Sequence, residues 1–161
     1  MKKKALVLAF ADCMPLLFFD PVKNVIANTH SGWKGTVQKI SKETVIKMID
    51  EYGSNPQDII CCIGPTIRKC HFEVEEDVKE IFYKEFKDLT NIDKCITKQD
   101  KKNKYSIDAV EINRQMLLNM GLKQQNIIDS KICSVCSEEK IHSYRVHKEE
   151  AGRNVALIYK K

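Results

Sequence analysis

Cys13 and His30 flank a short apolar segment that reads as a β-hairpin. A thiol facing an imidazole can do two kinds of chemistry: share a divalent ion as ligands, or act as nucleophile and base. The turn between them is Asp20-Pro21-Val22-Lys23-Asn24, rich in turn-forming residues. If Asp20 pairs with Asn24, Met14 lies opposite His30 and Cys13 is the next residue out. A one-residue bulge, or splaying of the strand ends, then brings Cys13 and His30 onto one side, about 5 Å apart as cross-strand neighbours. A buried cysteine and a capped histidine at strand ends account for the same spacing without chemistry.

After His30 comes Ser31-Gly32-Trp33-Lys34-Gly35, ahead of a helical pattern. Gly32 and Gly35 let backbone approach a ligand closely, and a helix start directs free N–H groups into the same space. With the Lys34 cation this forms a candidate anion cradle; a tight turn with Trp33 in the core is the alternative. Arginine is scarce: Arg68, Arg114, Arg145 and Arg153 stand among many lysines, so they mark places where a planar fork is needed. Arg68 follows the Gly64-Pro65 loop. Ser143-Tyr144-Arg145 with Gly152-Arg153 forms a second polar cluster. Cys133 and Cys136 make a lone C-x-x-C, which reads as structural because no second pair matches it. His71, His142 and His147 read as surface or satisfied histidines.

The chain has 161 residues, enough for one domain with a core of its own. A net charge of +5 suits an anionic small molecule or plain solubility; with no basic stripe among aromatics, nucleic acid is not implied. Mean hydropathy is −0.37. The longest apolar run, Met14 to Phe19, falls far short of the ~20 residues that span a membrane. The opening MKKKALVLAFAD mimics a secretion signal, but Asp12 interrupts it and no cleavage site follows. Seven cysteines without framework spacing predict a reducing, cytoplasmic setting. Four isolated histidines are too few for a multicopper centre, which takes about ten imidazoles.

Among the elements that carry these residues, strands are predicted at Ala5–Phe10, Met14–Phe19, Val25–His30, Ile59–Ile63 and Asn154–Tyr159. Val37, Ile40, Thr44, Met48, Ile49 and Tyr52 predict one helix ending at Gly53. A second helix runs through Val78, Ile81, Phe82 and Phe86 from an acidic start at Glu75-Glu76-Asp77. A third opens at a capping box, Asp108 with Glu111, and stops at Gly121. Lys98 to Lys104 reads as an exposed loop. Helices interspersed with strands, one pair of them a hairpin, predict an α+β fold with mixed sheets and outer helices.

Together these segments resemble one family. Ala11-Asp12-Cys13-Met14-Pro15 is similar to its T-A-D-C-x-P motif, and His30-Ser31-Gly32-Trp33-Lys34-Gly35 to its H-A-G-W-R-G motif. Ile63-Gly64-Pro65, Cys70 and Phe72-Glu73-Val74 resemble I-G-P…C-Y-E-V. Ser143-Tyr144-Arg145 with Gly152-Arg153 resembles S-[YH]-R-R…G-R. On these motifs the chain is identified as a member of the YfiH-like family, also called the laccase-domain or polyphenol-oxidase family, which includes FAMIN-like purine nucleoside phosphorylases. The resemblance implies an α/β/β/α layered sandwich related to cytotoxic-necrotizing-factor-like cysteine hydrolases. It implies phosphorolysis of adenosine, inosine, guanosine and methylthioadenosine (a transferase reaction) and deamination of adenosine (a hydrolase reaction). It implies a zinc ion, rather than copper, bound by two histidines and one cysteine; Cys13 and His30 map onto two of these ligands.

Within that resemblance, Ser31, Gly32, Lys34, Gly35, Arg68, Tyr144 and Arg145 are the expected substrate and phosphate contacts. The family carries a further N-terminal part with the first zinc histidine in a Q-V-H-G motif, so residues 1–161 read as a single domain that is N-terminally shorter than its family. The expected partners, besides purine nucleosides and phosphate, are that N-terminal segment, which would supply the first zinc histidine, or a second copy of the chain in a homo-oligomer. Lys34 and Val146 stand where the family has arginine. The competing readings are a non-enzymatic remnant, a copper polyphenol oxidase, and a metal-free Cys13–His30 hydrolase.

Overall fold

The computed structural model describes residues 5–100 and 103–160. In chain order the elements are β1 (Ala5–Phe10), β2 (Met14–Asp20), β3 (Val25–Ser31), α1 (Trp33–Val37), α2 (Ile40–Tyr52), β4 (Ile60–Ile63), β5 (Glu73–Val74), α3 (Glu76–Phe86), α4 (Ile92–Cys95), β6 (Ile96–Lys98), β7 (Tyr105–Ile107), α5 (Ala109–Asn119), β8 (Ile127–Asp129), α6 (Tyr144–His147) and β9 (Asn154–Tyr159). They form a mixed four-stranded sheet ordered β3-β2-β4-β8, a two-stranded ribbon β1-β9, and a small sheet β5-β7-β6. The fold is α+β, as expected. The apolar stretch after the N-terminal lysines is β1, paired with β9 along its whole length; residues 1–4 lie outside the described residues.

The two faces of the central hairpin do different work. Met14, Leu16 and Phe18 of β2 point into a core with Val45 and Met48 of α2, Ile63 of β4 and Leu117 of α5. On the opposite face, Asn28 of β3 donates to the carbonyls of Leu6 at 3.3 Å and Ala156 at 3.2 Å, tying the β1-β9 ribbon to the sheet. A second core gathers Phe72, Phe82, Phe86, Ile107, Ile112 and Met116. Helix α5 serves both cores from two sides, because residues one position apart on a helix diverge by about 100°.

The hairpin register differs from the expected one. Asp20 pairs with Val25 rather than Asn24, so Pro15 faces His30 and Met14 faces Ser31. The turn is one residue longer because the Asp20 carboxylate accepts the N–H groups of Val22 and Lys23, at 2.8 and 3.0 Å, and Asn24 takes a positive φ of 53°. The single helix expected from Val37 is two. The backbone enters helix α1 at Trp33, and Lys39, at φ 58°, breaks it from α2. The other two helices run close to their expected spans, as α3 and α5; Gly53 caps α2 in the left-handed conformation, and the Asp108 side chain accepts the Glu111 N–H at 3.0 Å. Sheet β5-β7-β6 was invisible to periodicity because its strands are two or three residues long. The Lys98–Lys104 stretch closes its β6-β7 hairpin, with the Gln99 N–H donating to the Lys104 carbonyl at 2.9 Å; residues 101–102 lie outside the described residues.

Candidate functional site

A cavity of about 590 Å³ opens where the ends of β1, β2 and β3 meet the loop after β4 and the α6 segment. The one-residue change of register decides what faces it. Since His30 lies opposite Pro15, and Cys13 is two positions from Pro15, side-chain alternation puts Cys13 and His30 on the same face without a bulge. Both line the cavity. The end of β1 forms the adjacent wall, with Ala9 and Phe10 lining the same cavity.

Asp12 organises this corner. Its φ of 75° turns the chain between β1 and β2, and its side chain is buried. One carboxylate oxygen accepts the Ser134 hydroxyl at 2.6 Å and the other accepts the Arg145 N–H at 2.6 Å. Its carbonyl accepts the Thr66 hydroxyl at 2.7 Å and the Ile67 N–H at 2.9 Å. Three segments distant in sequence are thereby anchored to the residue that precedes Cys13. Below the β3 end, a buried chain of hydrogen bonds joins Ser31 to Thr36 at 3.0 Å and Asn113 to Thr36 at 3.2 Å. It fixes the turn from His30 into α1.

The lining joins flat aromatic surface to positive charge. Trp33, Phe72 and Tyr144 contribute rings; Arg145, Lys148 and Arg153 contribute cations. Arg145 donates to the Glu73 carbonyl at 3.1 Å, and Arg153 donates to the carbonyls of Ala151 and Gly152 at 2.7 and 3.0 Å. Tyr144 donates to Glu149 at 2.8 Å. The sole carboxylate in the lining, Asp12, is occupied by its own donors. Burial, and then the Asp12 charge, push the Cys13 thiol above its ordinary range. That is the reverse of the depressed thiol a free cysteine nucleophile uses.

Of the expected contacts, Cys13, His30, Ser31, Gly32, Tyr144 and Arg145 come together at the cavity. Lys34, Gly35 and Arg68 do not line it. Lys34 lies over the Trp33 ring, 5.5 Å from its centroid. Gly35 sits under the His30 carbonyl, where an added Cβ would stand 3.3 Å from that oxygen. Arg68 forms a bidentate pair with Asp129, at 2.9 and 2.5 Å, so its fork serves the fold. Residue type alone missed Lys148, Phe72 and the role of Trp33, whereas arginine scarcity singled out Arg153, which lines the cavity. The Gly-Arg of the closing motif was a second signal for Arg153.

A second cluster corrects the reading of Cys133 and Cys136 as a lone C-x-x-C and of His71 as a bystander. Cys70 and His71 meet them: Cys70 Sγ lies 3.6 Å from Cys133 Sγ and 3.9 Å from Cys136 Sγ. His71 Nδ1 lies 3.3 Å from Cys70, 3.7 Å from Cys133 and 3.5 Å from Cys136. These four donors could hold a metal ion. Burial raises Cys133, but the N–H groups of Cys136 and Arg68, with His71 and Val135, outweigh it and pull the thiol down. Cys70 is pushed up, first by burial and then by its neighbouring thiols.

An α+β fold whose central hairpin ends in a thiol and an imidazole over a basic, aromatic cavity defines a YfiH-like domain. It superposes on the YfiH protein of Bacillus licheniformis with a TM-score of 0.90 at 34% identity, covering 98% of this chain and 58% of that one. For YlmD of Geobacillus stearothermophilus the TM-score is 0.88 at 29% identity, covering 98% and 57%. The chain belongs to the family described as multi-copper polyphenol oxidoreductase laccase, whose model matches residues 1–161. It is 35% identical to the purine nucleoside phosphorylase YlmD of Bacillus subtilis, over 98% of this chain and 55% of the relative. It is 38% identical to a purine nucleoside phosphorylase of Clostridium acetobutylicum (94% and 60%) and 33% identical to adenosine deaminase RL5 of an unknown prokaryote (94% and 56%). The chain thus spans somewhat over half the length of the curated relatives it matches.

Proposed function

We propose that this domain carries the phosphate- and base-binding half of a purine nucleoside phosphorylase site, with adenosine deamination as a companion activity. The observation that carries the reading is the lining of one cavity by Arg145, Lys148 and Arg153 together with Trp33, Phe72 and Tyr144. Guanidinium and ammonium groups bind phosphate, and ring faces pack against a planar purine. In phosphorolysis a phosphate oxygen bonds to the ribose C1′ as the C1′–N9 bond breaks, giving ribose 1-phosphate and the free base, which takes up a proton. The cations hold phosphate and offset its charge, while the aromatic wall orients the base.

The relatives' names support a nucleoside substrate. At Cys13 and His30 the described residues offer two donors. A catalytic zinc takes three protein ligands and keeps one position open. The pair therefore fits part of a zinc site, and the third ligand has to come from elsewhere, in keeping with the Q-V-H-G motif implied by the resemblance. Zinc bound there would supply Lewis-acid chemistry and lower the pKa of its water towards ~7. All seven cysteines are unpaired, which supports a reducing, cytoplasmic setting. Among the described residues no helix is long and apolar enough to cross a membrane.

Against the copper oxidase reading, the one group of three or more metal-binding donors among the described residues holds a single imidazole with three thiols. Multicopper chemistry needs clustered histidines. The test is turnover of inosine with phosphate, by this chain and by a version extended to the relatives' full length. Cys13→Ala abolishes turnover in whichever form is active, and Arg145→Ala raises the KM for phosphate. An unchanged rate in Cys13→Ala removes the site.

A further inference from the structure

The Cys70–His71–Cys133–Cys136 cluster is absorbed by neither the cavity nor its chemistry. We propose that these residues form a structural zinc site, ligated through three sulfurs and His71 Nδ1, which staples the loop after β4 to the turn after β8.

The distances are those of an occupied site. Zinc sits about 2.3 Å from sulfur and about 2.0–2.1 Å from nitrogen, so tetrahedral edges are about 3.8 Å between sulfurs and about 3.5 Å between sulfur and nitrogen. The two sulfur pairs that include Cys70 stand at 3.6 and 3.9 Å, and the His71 pairs at 3.3, 3.7 and 3.5 Å. All four donor atoms lie within 4.8 Å of one another. The sulfurs are too far apart for a disulfide, whose bond is about 2.05 Å. Hydrophobic packing does not account for the cluster either, because Cys70, His71 and Cys136 are exposed. Three thiols with an imidazole and no carboxylate form a soft set that excludes magnesium and calcium. Four protein donors leave no open position, which is the mark of a structural rather than a catalytic ion.

The surrounding backbone holds the donors in place. Residues 68–72 turn back on themselves, with the N–H groups of His71 and Phe72 both donating to the Arg68 carbonyl at 2.8 Å, so adjacent Cys70 and His71 reach one point. Thr66 bridges to Cys133, the Ser134 N–H donates to the Thr66 carbonyl at 3.0 Å, and Arg68 grips Asp129. The stapled loop carries Thr66, Ile67 and Phe72 into the cavity wall. The ion would therefore stiffen the wall without touching substrate, and it is independent of the Cys13–His30 reading.

The two metal readings are separated by measuring zinc per chain in the full chain, purified reduced. The double variant Cys13→Ser/His30→Ala retains one equivalent, and adding Cys136→Ser removes it. Cobalt(II) added to the metal-free double variant shows thiolate charge-transfer and tetrahedral visible bands, and X-ray absorption of the zinc form gives three sulfurs near 2.3 Å and one nitrogen near 2.0–2.1 Å. These spectra decide the matter even if Cys136→Ser fails to fold. Zinc content unchanged by Cys136→Ser in a folded chain overturns the proposal. So does a reduced double variant that takes up neither zinc nor cobalt, or one that holds iron or copper in this place instead.

Discussion

The Cys13 sulfur lies 2.9 Å from the point where a side chain on Gly32 would begin. The thiol therefore occupies space that only a glycine leaves open. A methyl group there must push the sulfur off its position beside His30, and displacements of about 1 Å at a reacting centre can cost about 100-fold in rate. Gly32→Ala is expected to lower inosine phosphorolysis by about that factor while leaving the melting temperature within a few degrees. Steady-state kinetics beside a thermal melt check it; full activity in the variant means that the placement of the thiol is immaterial.

Asp12 is expected to matter as much as the residues that touch substrate. Asp12→Ala removes both acceptors, so the Ser134 hydroxyl and the Arg145 N–H lose their shared partner. The Arg145 N–H is a backbone donor with nowhere to rotate. Leaving it unpaired is expected to cost about 1–3 kcal/mol, read by urea unfolding. Because the Arg145 backbone is displaced, the KM for phosphate should rise more than kcat falls. Equal stability and unchanged KM would show that Asp12 is not the anchor described.

The Arg68–Asp129 pair sets a pH dependence. Burial raises the Asp129 carboxyl, but the Arg68 fork and the Lys131 N–H outweigh it and hold the group below its ordinary range. In the acid range the unfolded chain therefore binds more protons at this position than the folded one. The pair's contribution is fully present above the unfolded carboxylate pKa of about 3.9 and is lost as pH falls through the lower folded value. Asp129→Asn is expected to cost about 1.5–3 kcal/mol at pH 7, with the gap to the unaltered chain closing below about pH 4. Urea titrations over a pH series, at fixed zinc, measure the gap; a gap independent of pH refutes the assignment.

Much of the site was written in local pattern. The strands Ala5–Phe10 and Asn154–Tyr159 declared themselves by apolar content, and Asp108 and Gly53 by their capping chemistry. Cys13, His30 and Gly32 stand out by type and spacing alone. The hairpin register does not. One extra turn residue, decided by two hydrogen bonds to Asp20, converts a pair that needed a bulge into one that shares a face.

The arginines divide in the same way. Scarcity marked all four as forks, but only tertiary placement shows that Arg68 grips Asp129 while Arg145 and Arg153 reach the cavity. Lys148 carries no local signal among so many lysines.

From its own residues the sequence determined the class of fold, most of the elements, and the Cys13–His30 pairing at the end of a hairpin, because alternation, helical period and caps are short-range properties. Only the folded chain decided that Cys70 and His71 meet Cys133 and Cys136, and that Asp12 binds Ser134 and Arg145. Those meetings join segments more than sixty residues apart. They depend on how the sheet, the loop after β4 and the C-terminal segment pack, and no local pattern encodes that.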